Sequence, residues 1–101
     1  MAKDVRALKD KALKQLQKGK LAASLATWQE VTRVAPDDIA AAQKVADLHA
    51  RLGQREEAVA AYDAVALRYG ETGHFLKASA VCRLIHGIDP DNTRTLSLIH
   101  I

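Results

Sequence analysis

Cysteine occurs once, at Cys82, so no internal disulfide can form, and proline only twice, at Pro36 and Pro90. The five glycines and two prolines cluster near the ends of apolar segments, which leaves long uninterrupted stretches for helix and little room for a β-sheet. Aromatic residues make up 4% of the chain, whereas hydrophobic residues reach 49%, mostly Ala, Leu and Val, a composition suited to closely packed helices. No stretch approaches the roughly 18 consecutive apolar residues of a membrane span. Met1-Ala2-Lys3-Asp4 leads into an amphipathic segment rather than the apolar core of an export signal, so a cytoplasmic protein is expected. There is no Gly-x-Ser-x-Gly turn, phosphate-cradling glycine loop or paired-carboxylate signature, and no catalysis or cofactor is expected. At 101 residues the chain is one domain or part of one, and its formal charge of +3 is mild. The excess lies in the first 20 residues, where seven Lys or Arg face two Asp.

What remains is helical periodicity. Val5, Leu8, Ala12, Leu13 and Leu16 recur at three- and four-residue steps, predicting a helix over about 3–18 that ends at Gly19. Leu21, Leu25, Trp28, Val31 and Val34 predict a second over 20–35, stopped by Ala35-Pro36. Asp37 or Asp38 can cap a third over 38–52, carrying Ile39, Ala42, Val45, Ala46, Leu48 and Leu52. The fourth, over 55–70, opens on Arg55-Glu56-Glu57, acidic where the helix dipole favours negative charge. The fifth, over 74–87, is expected to bury Phe75, Ala78, Val81, Cys82 and Ile85.

These segments repeat. Gly19 and Gly53 lie 34 residues apart, and within that frame Ser24 falls on Ala58, Trp28 on Tyr62 and Val31 on Val65. A third copy from Gly73 places Ala78, Cys82 and Ile85 at the same offsets, but it starts only 20 residues after Gly53. The deficit of 14 equals one helix with its turn, so the fourth helix is expected to close the second hairpin and open the third. It would then be apolar on two faces, and the turn around Gly70 to Gly73 is expected to differ from the others.

The 34-residue period, the Gly-x-x-x-x-Ala-x-x-x-Tyr pattern of Gly53, Ala58 and Tyr62, and Asp89-Pro90-Asp91-Asn92 carry a resemblance to tetratricopeptide repeat (TPR) proteins. It spans about residues 5 to 92 and is strongest in the second repeat. The third copy, Gly73-His74-Phe75-Leu76-Lys77-Ala78, is similar to a version in bacterial multi-repeat proteins that precedes further repeats. Lys11, Gln15, Ala42 and His49 depart from the family's apolar and aromatic preferences, and Ser24 and Cys82 are milder departures. The resemblance implies an all-α, right-handed superhelical stack of antiparallel helix pairs, about five helices over residues 1–92 with a tail over 93–101. It also implies a concave groove that takes a peptide or a helix, lined by Lys9, Leu13, Gln43, Lys44, Asp47 and Arg51. Leu13 stands where chaperone-binding relatives use an Asn to clamp a C-terminal carboxylate, so chaperone binding is not expected.

The other features are weaker. Cys82 and His86 share a helix face, but Cys82 sits at the offset of Trp28 and Tyr62 and reads as packing, so no metal site is expected. His49 reads as a half-buried packing residue, and Trp28 as core. The N-terminal lysines spread around their helix without an aromatic platform for bases, so they read as a solvated face rather than a nucleic-acid surface. An RNA- or DNA-associated module, or a targeting module of a larger protein, is the alternative to a protein-binding scaffold. Leu96-Ser97-Leu98-Ile99-His100-Ile101 is also the translation of CTGTCTCTTATACACATC, the end of a common transposon-based sequencing adapter. The residues from 96 to 101 then read as adapter, with the chain as the N-terminal piece of something longer, unless they simply begin the next helix. In either case this C-terminus carries no polar capping helix, so an exposed apolar end face is expected, and homo-association through Ala80, Leu84 and Ile88 is a further alternative.

Overall fold

The computed structural model describes residues 4–90, so the expected tail over 93–101 and the hexapeptide from 96 to 101 lie outside the described residues. Five helices and no strand form among them: α1 (Val5–Gln17), α2 (Leu21–Val34), α3 (Ile39–Arg51), α4 (Arg55–Glu71) and α5 (Phe75–Ile88). Each helix packs on the next in chain order, so α2, α3 and α4 lie between two neighbours.

Capping side chains fix two of the starts. Asp4 accepts hydrogen bonds from the amides of Arg6 and Ala7, at 3.0 and 3.4 Å. Asp38, rather than Asp37, caps α3 by accepting from the Ala41 amide at 3.0 Å. Lys9 Nζ lies 2.7 Å from Asp38 Oδ2 and ties α1 to the start of α3. The hydrogen bond from Lys9 holds the Asp38 carboxyl below its ordinary 3.8, with partial burial opposing and the α3 amides assisting. A lowered value means that the stabilisation is present above the ordinary value and is lost as pH falls through the folded one. Replacing Asp38 by alanine is expected to cost about 1 kcal/mol in urea unfolding at neutral pH. The gap between the two chains should narrow as pH falls below 3.8.

Three of the four turns are alike. At Gly19, Gly53 and Gly73 the backbone adopts φ of 76°, 77° and 80°, the left-handed region where a side chain is disfavoured. In each, the glycine amide donates to the carbonyl three residues back, and the following amide donates to one five residues back (Lys20 to Gln15, Gln54 to His49, His74 to Tyr69), satisfying carbonyls at the helix end. The Gly70 to Gly73 turn therefore does not differ, contrary to the expectation from its spacing. What changes is helix length: α4 runs straight through Gly70 for 17 residues, against 13 or 14 for the others. The α2–α3 connection, Ala35-Pro36-Asp37-Asp38, has no such glycine, so α4 alone lies between two glycine turns.

Small residues let the helices approach across each of these turns. Ala12 and Ser24, Ala46 and Ala58, and Ala66 and Ala78 each stand 12 positions apart, and all are buried except Ala78, which is half-buried. Ala66 of α4 thus takes the place that Ala12 and Ala46 hold in α1 and α3, as a helix opening a hairpin should. The Ser24 hydroxyl, fully buried, donates to the Ala12 carbonyl at 2.8 Å, so its polarity is satisfied. One core cluster joins Ala12, Leu25, Trp28, Val31, Ala41 and Leu48 across α1, α2 and α3. The other joins α3, α4 and α5 through Ala46, Tyr62, Val65, Val81, Cys82 and Ile85. Arg55 Nη2 also donates to the Ile88 carbonyl at 2.7 Å, linking the start of α4 to the end of α5.

Phe75 is a correction. It was expected in the core, yet it is 69% exposed. The aromatic surface at that end of α4 is already engaged: Tyr69 meets the His74 ring edge-on at 6.1 Å, and the Lys77 ammonium lies 5.7 Å from its ring centroid. Packing of α5 on α4 therefore starts at Ala78, one turn later.

Candidate functional site

The groove nearest the expected binding face lies where α1 and α3 converge over side chains of α2 and α4. Its volume is about 380 Å³. Leu13 and Leu16 of α1 form one apolar wall, Leu48 and Ala50 of α3 the other, and Trp28 and Tyr62 reach in from the closing helices. Lys44, Asp47 and Arg51 bring charge to its α3 side, one helical turn apart. Lys44 and Arg51 are exposed and make no ion pair among the described residues, so both cations are available to a ligand. Asp47 is engaged: its Oδ1 accepts a hydrogen bond from the Tyr62 hydroxyl. Burial, reinforced by the hydrogen bond and charge of Asp47, pushes the Tyr62 phenol above its ordinary 10.0, so it stays a donor at neutral pH.

Four of the six expected groove residues, Leu13, Lys44, Asp47 and Arg51, are thus brought together. Lys9 and Gln43 do not line this groove. Lys9 is engaged by Asp38, and Gln43 Oε1 accepts a long hydrogen bond of 3.5 Å from the Tyr69 hydroxyl. Sequence reasoning missed Leu16, Leu48, Trp28 and Tyr62 as lining residues because their periodicity marks them as core. In fact each is buried or half-buried and still shows one edge to the groove.

Against known proteins, no family model matches the chain, and neither does any curated protein. A solved structure does. The first TPR of Spaghetti (RPAP3), bound to the HSP90 peptide SRMEEVD, is similar over 98% of this chain and 92% of that chain, with a TM-score of 0.55 and 14% identity. The chain has a TPR-like fold. At that identity the likeness concerns the fold alone.

Other candidates fall elsewhere on this TPR-like stack. Cys82 is buried, and its burial together with the charge of Asp63 pushes the thiol up, which keeps it neutral and inert at physiological pH. Among the described residues no three His, Cys, Asp or Glu side chains are grouped to hold a metal ion. His49, half-buried, donates from Nδ1 to Gln54 Oε1 at 2.6 Å, in the α3–α4 turn. Ala80 and Leu84 are exposed on α5, whereas Ile88 is half-buried. No described helix is long and apolar enough to cross a membrane.

Proposed function

We propose that the chain is a non-catalytic protein-association module of the cytoplasm, and that the groove between α1 and α3 takes an extended peptide or a single helix from a partner. The observation that carries this reading is the combination in one concavity of apolar walls with two cations, Lys44 and Arg51, that make no ion pair among the described residues. An apolar groove rewards a ligand's apolar side chain, and the cations select its flanking charge. The ligand is therefore a segment with a leucine-like or aromatic anchor followed by Asp or Glu. The similar TPR bound to an HSP90 peptide supports this use of the fold. A carboxyl-terminal clamp is not part of the proposal, because Leu13 faces the groove where such a clamp needs a polar group.

Peptides selected from a randomised display library are expected to enrich an apolar anchor with acidic flanks. Replacing Lys44 and Arg51 together by glutamate should weaken the best of them by about tenfold or more, since each reversal exchanges attraction for repulsion. Trp28 is the only tryptophan and lines the groove, so its emission reports the titration directly. Selection of no peptide above background, or equal binding by the double variant, would contradict the reading.

A further inference from the structure

Four N-terminal lysines are exposed, but the fold gathers them along one groove. Lys11, Lys14, Lys18 and Lys20 line one side of this second groove of about 600 Å³ between α1 and the start of α2. Lys11, Lys14 and Lys18 follow one another at three- and four-residue steps and so share a face of α1, and Lys20 joins them from the Gly19 turn. Leu13 and Leu16 lie on the opposite side of the same helix, so this groove is separate from the concave one.

Charge in this groove is nearly all of one sign. None of the four ammonium groups makes an ion pair among the described residues, whereas Lys9, on the side of α1 that bears Leu13 and Leu16, is engaged by Asp38. Asp10 is the single acid in the lining. Gln15 adds a donor: its Oε1 accepts from the Thr27 hydroxyl at 2.6 Å, which leaves the amide NH₂ to serve a ligand. Like charges this close repel one another in the free protein, and an anionic ligand relieves that repulsion while gaining its own attraction.

We propose that this groove docks an Asp- or Glu-rich segment of a partner protein, at a site distinct from the concave groove. Polypeptide fits the lining better than nucleic acid does. No aromatic ring lines the groove to stack a base, and Asp10 can accept the backbone N–H that a polypeptide supplies. Gln15 in turn donates to a peptide carbonyl, while the ligand's carboxylates meet the lysines.

The test is fluorescence anisotropy of a labelled peptide of alternating Glu and Ser, without an apolar anchor, against the full chain. Binding is expected at low salt, falling as salt rises. Lys14→Glu combined with Lys18→Glu, confirmed as helical by circular dichroism, should weaken it by about tenfold or more. Lys44→Glu with Arg51→Glu, an equal change in net charge, should weaken it much less, which separates this site from the concave one. Absence of binding, or insensitivity to the Lys14 and Lys18 reversals, overturns the proposal. So does tighter binding of an oligothymidylate of equal charge, which would assign the groove to nucleic acid.

Discussion

Replacing Tyr62 by alanine is expected to cost about 3–5 kcal/mol, the range for removing a large buried ring. A domain of this size has on the order of 5–15 kcal/mol in total, so a large part of the fold's stability should go with this one side chain. Tyr62 is 4% exposed and lies in α4, the helix with both a closing and an opening role. Its ring belongs to the core cluster shared with α3 and α5, and its hydroxyl donates to Asp47 of α3. Tyr62→Phe separates the two contributions. It keeps the ring and should cost about 1–2 kcal/mol, the scale of a hydrogen bond to a partly solvated carboxylate. Urea unfolding of the three chains at neutral pH gives the ranking.

The phenol also predicts an alkaline signature. Its folded value is raised, so its contribution is fully present below the ordinary 10.0 and is lost as pH climbs through the folded value. Wild type should therefore lose stability above that point faster than Tyr62→Phe, which has nothing to ionise at this position.

The second large effect belongs to Ile85, fully buried on α5. Truncation to alanine should cost about 2–5 kcal/mol, and the damage should reach beyond its own helix. Ile85 packs in one cluster with Val65 and Ala66 of α4 and with Ala46 of α3. Hydrogen exchange on the variant is thus expected to speed up in α3 and α4 together with α5. Acceleration confined to α5 would show that α5 is an appendage rather than the partner of a shared helix.

Much of this architecture is legible in the sequence, because it rests on short-range rules. The glycines at 19, 53 and 73 sit where the backbone needs positive φ, and the proline at 36 ends α2. The dual role of α4 is visible in the spacing of Tyr62, Val65, Ala66 and Tyr69, since a helix between two neighbours needs apolar residues on two sides. Phe75 was not legible: a helical stripe gives direction but not where the neighbour's available surface ends. The turn at Gly73 was misjudged for a related reason. A shortened repeat alters the number of helices between turns, while the local hydrogen bonding of the turn depends only on the glycine and the carbonyls behind it.

The candidate site was less legible than the fold. Lys9 and Gln43 share helices with true lining residues, but a salt bridge and a tyrosine hydroxyl take them, and such partners lie 29 and 26 residues away in the chain. The four lysines of the second groove look dispersed in sequence because Lys20 belongs to a different element, and only the Gly19 turn folds it back beside α1. Residues counted as core, such as Trp28 and Tyr62, also face the groove, because a stack only two helices thick leaves one edge of its core near the surface.

Amide chemical-shift mapping is the decisive measurement for peptide binding in the concave groove. Isotope-labelled protein would be titrated with the best library-selected peptide that carries an apolar anchor and acidic flanks. The predicted result is a contiguous set of shifts centred on Leu13, Lys44, Asp47 and Arg51, with the Trp28 indole resonance moving in step. Shifts confined to α5 or to the outer lysines, with this set unmoved, would contradict it.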